Sequence, residues 1–483
     1  MKKQTALILA AVMMLQMLAG CSEKASENEN TQPSGSEVSE SINTDDTAAE
    51  PTEEELLYGS LTPKDYDGYT FRFMTAISNY GITYMDVEGL TGDIINDTVY
   101  ERNRAIEQEL NITVYEEGGL GYSEPVDRLN KMVTAGDDES DVIFCEAYYM
   151  APVVTNHYMH NLYDIPNIDW DKPWWEKSIR DFFEIKNKLF FTYTSMNLHY
   201  YEALVTPLFN KQIAAEYQIE DLYTTVREGK WTIDKMGSIA QSVVSDRNGD
   251  GKMKTTDDLY GISASTNLVV YMPLAAGARY TEKGEDGLLK FIGATDHLVS
   301  CVEKLHSIFG VNDVLIENGD YIRLFQESHA LFFLDVLGRV KDFRSLETDF
   351  GIIPLPKYDE TQKNYVSAAF VGSGVMVVPI TNQMYTEIGT ILEYFGAYSN
   401  RYLIPAYYEK NIQGKQTRDE QSVEMLEIML SNITADLSVV YSWGSITDTI
   451  LSAVKKGEGL ASAMKSNTKV AQKNIEKWYE AFE

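Results

Sequence analysis

The sequence predicts an α/β fold in which short strands alternate with amphipathic helices. Three strand-like runs cover residues 71–74, 112–115 and 141–144. Between them lie segments whose apolar residues recur every three or four positions, the spacing of one helix face. Strand–helix–strand alternation is typical of sheets connected by crossover helices. More than 400 residues follow position 56, enough for two domains or one large two-lobed unit.

The helices of the first half are predicted from periodicity and from their capping residues. Residues 97–111 place Val99, Ile106 and Leu110 on one stripe, as expected for a helix packed on a sheet. Ser123 is the predicted N-cap of the next helix, because Pro125 follows where the first helical turn begins.

The same alternation returns in the second half of the chain. Thr232 is the predicted N-cap of a helix, and Ser445 with Asp448 has the spacing of a capping box before the C-terminal helices. The other elements predicted here are a helix over 210–217 and strands over 203–209, 330–334, 350–353 and 374–378.

Residues 1–20 have the pattern of a lipoprotein signal peptide. Two lysines precede an apolar run over 6–18 that is too short for an ordinary membrane-spanning helix. The run ends in Leu-Ala-Gly before Cys21, the pattern that bacterial lipoprotein signal peptidase cuts in front of the cysteine. We expect Cys21 to carry acyl chains such as palmitate and to anchor the protein to the cell membrane. An ordinary signal peptide with a chance cysteine is the alternative.

Residues 21–56 are rich in Ser, Glu, Asn, Thr and Asp and nearly free of large apolar side chains. Such a segment buries too little surface to offset its ordering entropy, so we expect a lipidated, acidic, disordered tether. The whole chain has a formal net charge of −32. This charge argues against binding nucleic acid or lying on an anionic membrane, and it is compatible with neutral or cationic ligands.

Signals for catalysis or for a disulfide framework are weak. The chain has no Gly-x-Ser-x-Gly elbow, P-loop or His-Glu-x-x-His motif. Cys145 and Cys301 lie in separate apolar runs, where a buried small side chain is the simpler interpretation. Acids are so abundant that a glycosidase pair stays open as a possibility.

Four segments spread over residues 66–483 carry a family resemblance. They are Thr-Ala-Gly-Asp137 with Asp-Val-Ile143, Leu-Phe-Asn-Lys211 with Gly-Lys-Trp-Thr232, Asp-Phe-Gly-Ile-Ile-Pro-Leu-Pro356, and Gly-Ser-Gly374 before a strand. In this order and spacing they resemble the bacterial extracellular solute-binding protein family 1, which includes the maltose-binding proteins of ABC importers.

The resemblance implies a two-lobed, periplasmic-binding-protein-like (type II) fold with discontinuous lobes joined by hinge strands. Residues 57–204 plus 372–418 would form the N-terminal lobe, and residues 205–371 plus 419–483 the C-terminal lobe. A solute would favour closure by contacting both lobes at once. The implied chain crossings lie near 204–205, 371 and 419.

Sugars present apolar faces and a rim of hydroxyls, so a binder needs aromatic platforms together with acids, amides or arginine. Several such residues follow predicted strands or helices, where open α/β sheets bind ligands. Trp443 also resembles the family's aromatic platform. The alternative for each aromatic residue is core packing, and for Asp335 with Arg339 it is a surface ion pair. The candidates are Trp443, Tyr441, Tyr148 and Tyr149 beside Glu146, Tyr200, Tyr201, Glu202, Asp335, Arg339, Tyr271 and Tyr80.

Residues 246–257 fit the Asp-x-Asn-x-Asp-Gly calcium loop. Oxygens at alternate positions would converge on a hard cation, and Gly251 permits the sharp turn. Lys254 offers no oxygen at the ninth position, which indicates a weak, structural site. A solvated Asp/Gly turn is the alternative. The predicted ligands are Asp246, Asn248, Asp250, the backbone carbonyl of Lys252, and Asp257.

Together these patterns predict a monomeric, non-catalytic receptor that delivers its solute to the permease subunits of an ABC importer. We expect a carbohydrate ligand, because aromatic residues are abundant and because the resembled family includes maltose-binding proteins. A peptide or another small organic solute is the alternative within the binding class. A surface polysaccharide-degrading enzyme is the alternative outside that class.

Overall fold

The computed structural model describes residues 52–482 except 255–256, 286, 311–314, 317–319, 344–345, 347 and 414–419. The predicted signal peptide, Cys21 and nearly all of the predicted tether lie outside the described residues. Among the described helices, we find none with the length and apolar character needed to cross a bilayer.

The strands of the described chain are short, and most are buried. In chain order they are β1 (Tyr69–Ala76), β2 (Ile112–Leu120), β3 (Val142–Glu146), β4 (Val205–Asn210), β5 (Tyr260–Ala264), β6 (Thr281–Lys283), β7 (Leu289–Phe291), β8 (Leu315–Ile316), β9 (Ala330–Val336), β10 (Phe350–Ile352), β11 (Ser367–Ala368), β12 (Gly374–Val377) and β13 (Ile433–Thr434).

Helices connect and cover these strands. The α-helices are α1 (Glu53–Tyr58), α2 (Ile94–Leu110), α3 (Glu124–Ala135), α4 (Ala147–Met150), α5 (Lys177–Phe183), α6 (His199–Glu202), α7 (Lys211–Glu216), α8 (Leu222–Arg227), α9 (Ile233–Val243), α10 (Tyr271–Ala275), α11 (Asp296–Phe309), α12 (Tyr321–Gln326), α13 (Ile388–Tyr398), α14 (Ile404–Gln413), α15 (Glu420–Leu430), α16 (Leu437–Val440), α17 (Ile446–Lys456) and α18 (Leu460–Glu480). Shorter 3₁₀ segments cover Ala151–Asn156, Leu162–Asp164, Thr266–Val270, Leu337–Phe343 and Trp443–Ser445, and Ser399–Leu403 is a π-helix.

Two larger sheets form the centres of the two lobes. The first has the order β12-β3-β1-β2, with β1 parallel to β2 and β3 and with β12 antiparallel to β3. The second has the order β10-β4-β9-β5-β8. In it β5 runs parallel to β8 and β9, while β4 is antiparallel to β9 and β10. This arrangement confirms the predicted α/β class. Every strand predicted from an apolar run is present, with ends within about two residues except for β2, which continues five residues beyond the predicted 112–115.

Two chain segments connect the sheets side by side, and we call residues 203–205 and 369–373 the crossing segments. Leu204 and Ala369 form an antiparallel bridge, and the Phe370 amide donates to the Ala203 carbonyl at 3.1 Å. Both positions lie at or beside crossings predicted near 204–205 and 371. The crossing predicted near 419 falls outside the described residues, and the exact lobe boundaries stay a prediction.

Helix starts follow their capping chemistry, which corrects two predictions. Thr232 caps α9 as predicted, accepting from the Lys235 amide at 3.2 Å. Ser123 does not cap α3 through its side chain, because its backbone is already helical at φ −97° and ψ −6°. Ser445 is left-handed at φ 48° and makes no capping bond, so the predicted capping box with Asp448 was wrong.

The end of the predicted tether also needs correction, since α1 begins inside it at Glu53. Tyr58 packs against the core, with its ring stacked 5.9 Å from that of Trp174. Asn400 donates a hydrogen bond to the Tyr58 hydroxyl at 3.0 Å. These contacts order the chain from α1 onward, so a tether can extend no further than the residues before it.

One buried carboxylate organises the core of the first lobe. The Glu393 side chain accepts hydrogen bonds from the indole nitrogens of Trp174 and Trp175 at 2.8 and 2.7 Å. It also accepts from the Asp169 amide at 2.6 Å. Burial raises the pKa of Glu393, and these donors oppose that shift.

We predict that Glu393→Ala lowers the free energy of unfolding by about 3 kcal/mol, because two buried indole donors and the part-buried Asp169 amide lose their partner. Urea denaturation followed by circular dichroism measures this difference. Glu424→Ala is the matched control, since it removes a surface ion pair with Arg227 and should cost under about 1 kcal/mol. Equal losses for the two variants would contradict the role assigned to Glu393.

Candidate functional site

The candidate site lies where the first sheet meets the crossing segments. Tyr80 follows β1 and is nearly buried. Its hydroxyl donates to the Gly372 carbonyl at 2.7 Å, and its ring lies 6.0 Å from that of Phe370. The Arg339 guanidinium lies 5.9 Å from the centre of the same ring. Tyr80 therefore joins the first lobe to a residue that follows β9 of the second sheet.

The contact beside Tyr80 is very close. A Cβ added at Gly338 would lie 1.9 Å from the Tyr80 carbonyl oxygen, so a larger residue there would push the chains apart. Tyr271 supports the crossing from the other side, accepting a hydrogen bond from the Val371 amide at 3.1 Å. Its ring is buried and lies 5.8 Å from that of Phe370.

Asp335 and Arg339 lie together at the carboxyl end of β9. Asp335 accepts hydrogen bonds from the Tyr321 hydroxyl at 2.6 Å and from the Val336 amide at 2.7 Å. Burial raises the pKa of Asp335. The Arg339 Nε lies 3.6 Å from the Asp335 carboxylate, and its guanidinium also reaches Asp342 at 3.4 Å. The ion pair is therefore present, half-buried and directed toward Tyr80.

Tyr148 and Tyr149 follow β3 on α4. The Tyr148 amide donates to the Val371 carbonyl at 2.9 Å, which fixes α4 to a crossing segment. The Tyr148 side chain is 54% exposed, and its ring meets that of Tyr149 edge to face at 5.1 Å. An exposed aromatic face on a fixed backbone is a suitable platform for the apolar side of a sugar.

Glu146, the last residue of β3, is half-buried beside this platform. Burial raises its pKa from 4.5 to about 7. Among the residues that the structure describes, none donates a hydrogen bond to its carboxylate, and none forms an ion pair with it. Burial is the main cause of the raised pKa of Tyr80 and of Tyr193, and the negative charge of Glu146 adds to it. These residues therefore share one electrostatic environment.

Tyr193 and His199 also lie at this site, and neither was among the residues predicted for it. The Tyr193 ring stacks on Tyr200 at 4.6 Å and is buried. The His199 ring is 3% exposed and lies 5.3 Å from Tyr80, and its burial lowers its pKa to about 3. Tyr193 lies within residues 184–198, which have no regular helix and only isolated bridges, so no periodic pattern marked it.

The structure places three other candidates in supporting positions. Tyr200 is buried beneath Tyr193, and Tyr201 packs toward Tyr407 at 6.4 Å. The Glu202 carboxylate accepts a hydrogen bond from the Ile82 amide and so holds the loop that follows β1. These contacts orient the loop that carries Tyr80.

Trp443 and Tyr441 form a separate aromatic cluster. Their rings stack at 4.9 Å and 9°, and both meet Trp478 nearly edge to face. Trp443 is 4% exposed and belongs to the main core. Their ring contacts are with each other and with Trp478, and these surroundings are those of core packing.

The predicted calcium loop is closed by its own hydrogen bonds. The Asp246 carboxylate accepts from the amides of Gly249 and Gly251, both at 2.7 Å. The side chains of Asn248 and Asp250 each accept at 2.9 Å from the amide two residues later, and Asp250 also pairs with Lys254. Asn248 donates to Asp257 at 3.3 Å. Within the described chain, no group of three or more acidic, histidine or cysteine side chains is placed to hold a metal.

The two body cysteines match their sequence interpretation. Cys145 and Cys301 are free and buried, and burial raises the pKa of each thiol to about 12. A thiol with so high a pKa is a poor nucleophile at neutral pH.

Comparison with known proteins shows the fold. No protein-family model matches the sequence, and no curated protein matches it. An ABC substrate-binding protein from Listeria monocytogenes, in complex with cycloalternan, is similar with a TM-score of 0.54 and 12% identity, covering 85% of this chain and 99% of that one. A cyclo/maltodextrin-binding protein complexed with maltotetraose has a TM-score of 0.56 and 14% identity, over 84% and 97% of the chains.

A third similar structure is the apo form of RafE from Streptococcus pneumoniae. Its TM-score is 0.53 at 14% identity, with 85% of this chain and 100% of that chain covered. These likenesses extend over nearly the whole of each solved chain. They confirm the predicted two-lobed, periplasmic-binding-protein-like architecture.

We predict that Glu146→Gln stabilises the protein at pH 8 but not at pH 4. Because the pKa of Glu146 is higher in the folded chain, the folded state binds more protons between pH 4.5 and about 7. The stability contributed by Glu146 therefore falls as pH rises through this window. The neutral amide escapes this loss, and we expect a gain of about 1–2 kcal/mol for a half-buried group.

Thermal and urea unfolding of the two proteins at both pH values measures this gain. Glu101→Gln, at an exposed position on α2, is the matched control and should change stability little at either pH. A stability difference for Glu146→Gln that is the same at pH 4 and pH 8 would contradict the prediction.

Proposed function

We propose that this chain is a solute-binding receptor of an ABC importer that captures a sugar or oligosaccharide between its two lobes. The observation that carries this proposal is the meeting of Tyr80 from one lobe with Arg339 from the other beside the crossing segments. A solute at that position contacts both lobes, and such a ligand favours their closed arrangement.

The chemistry at this position suits a polyhydroxylated ligand. Tyr148 offers an exposed aromatic face, while Asp335 and Arg339 offer charged acceptors and donors for hydroxyl groups. Two of the similar solved structures are complexes with cycloalternan and with maltotetraose, which supports carbohydrate as the ligand class here.

Delivery to a membrane permease completes the proposal. Acyl chains on Cys21 would hold the receptor at the outer face of the cell membrane, and the acidic residues that follow would give it reach. We propose a monomer that binds its solute without catalysis, and the similar solved structures, which are binding proteins, support the second part of this proposal.

We predict that the purified full-length chain binds at least one oligosaccharide at micromolar or tighter Kd and releases no product. Calorimetry against a panel of neutral and amino-bearing oligosaccharides measures binding, and chromatography of the recovered sugar detects cleavage. Tyr148→Ala should weaken that binding about tenfold through the lost aromatic platform, with unchanged unfolding temperature.

Tyr115→Ala is the matched control for Tyr148→Ala, since Tyr115 is 53% exposed on β2 and outside the site. It should leave affinity unchanged. Cleavage of the bound sugar would contradict the proposed receptor and favour the alternative, a surface polysaccharide-degrading enzyme. Binding of peptides but of no sugar would retain the fold and overturn the carbohydrate assignment.

We also propose that residues 246–257 bind a structural Ca²⁺ ion, with Asp246, Asn248, Asp250, Lys252 and Asp257 as ligands. Support comes from the turn that already gathers three of these side chains around the backbone amides. Hard cations favour such oxygen ligands, and the Lys254 ammonium that pairs with Asp250 would have to move away.

We predict that millimolar Ca²⁺ raises the unfolding temperature by a few degrees in the wild-type chain, because it binds the folded state alone. The shift should vanish in Asp250→Ala and persist in Asp359→Ala, a partly exposed aspartate on another turn of the same lobe. Differential scanning calorimetry with and without chelator measures it. An unchanged wild-type midpoint would contradict the calcium proposal.

A further inference from the structure

A small cavity lies beside the candidate site at the carboxyl end of the first sheet. Its volume is about 10 Å³, room for one water-sized group. Its lining includes Ile77, Glu146, Asn197 and His199. Ile77 is among the exposed apolar side chains, so the cavity lies close to solvent, and Glu146 of its lining precedes Tyr148 by two residues. The cavity therefore adjoins the surface that a captured solute would cover.

The polar atoms of this cavity have unused hydrogen-bonding capacity. The Glu146 carboxylate has no donor among the described residues, although neighbouring donors are close. The Tyr80 hydroxyl is directed to the Gly372 carbonyl at 2.7 Å, and the Asn197 amide group to the Thr83 carbonyl at 2.9 Å. Since these donors are engaged elsewhere, Glu146 must be satisfied by water or by a ligand.

His199 supplies a second open position in the same cavity. Its Nε2 is fully buried and has no hydrogen-bond partner among the described residues. Burial keeps the imidazole neutral, so Nε2 is an acceptor whenever the ring proton is on Nδ1. Buried polar atoms without a partner are rare and costly, which marks this cavity as incomplete without a polar guest.

A ligand in this cavity must also offset the negative charge of Glu146. Arg339 forms ion pairs with Asp335 and Asp342. The positive charge of Lys341 contributes to lowering the pKa of His199, after burial. For Glu146, burial is the cause that shifts its pKa, and no cation of the described chain offsets it. A hydroxyl group could fill one acceptor position but would leave the carboxylate charge without a counterion.

We propose that this cavity is a subsite for an ammonium group, and that the captured solute is an amino sugar held by Glu146 and His199. An ammonium carries three donors and no acceptor, which matches the two open acceptors of the cavity. It also neutralises Glu146 through a charge-assisted hydrogen bond. This inference rests on the proposed function, and it names the ligand class within it.

The test compares glucosamine trimer with the neutral glucose trimers maltotriose and cellotriose, by calorimetry at pH 7 on the full-length chain. We expect the wild-type protein to bind glucosamine trimer at least tenfold more tightly than either neutral trimer. Glu146→Gln, an isosteric change, should reduce the ratio of the two affinities, glucosamine trimer over neutral trimer, at least tenfold. Glu101→Gln is the matched control and should retain the preference.

The outcomes separate this inference from the proposed function. Equal or tighter binding of a neutral trimer, or of any other neutral saccharide when glucosamine trimer does not bind, overturns the inference and leaves the receptor standing. A preference for glucosamine trimer that survives Glu146→Gln also overturns it. If no saccharide of the wider panel binds, the proposed function itself fails. The unfolding temperature of each variant shows that the protein compared is folded.

Discussion

The backbone pairing of the two crossing segments is the constraint on which the site depends. The Leu204 carbonyl accepts from the Leu337 amide at 2.8 Å, while Leu204 also bridges Ala369. These bonds hold together the residue before β4, the residue after β9 and the segment that precedes β12. Strands of two separate sheets therefore direct their ends toward one place, and loops from both sheets carry the side chains that meet there.

Close packing fixes that meeting more tightly than hydrogen bonds alone would. Gly372 has no room for a side chain, because an added Cβ would lie 2.0 Å from the Tyr80 hydroxyl oxygen. Gly338 is similarly constrained by the Tyr80 backbone. Gly338 and Gly372 thus leave the space in which Tyr80 of the first lobe packs. Any movement between the lobes must change the surroundings of this ring, which is why its neighbours are suited to sense a bound solute.

How much the sequence could predict depends on whether the signal is local. Apolar runs such as β3 and β9 are local signals, and they gave the strands and the fold class. Tyr148, Asp335 and Arg339 were found because they follow such strands directly. Ser123 and Ser445 were misjudged, because the backbone angles that a cap needs are set by tertiary packing. His199 was missed because its place beside Tyr80 comes from contacts distant in sequence.

Buried Glu393 and half-buried Glu146 show how structural and functional acids can be distinguished in this fold. Glu393 and Glu146 are both drawn out of water, and burial raises the pKa of each. Glu393 is surrounded by three donors that the fold supplies, so its burial strengthens the packing around two tryptophans. Glu146 accepts no hydrogen bond from a donor of the described chain, so its partial burial lowers stability and no such bond offsets the loss. A protein retains such a cost where function requires it, and Glu146 lies where the two lobes and their solute would meet.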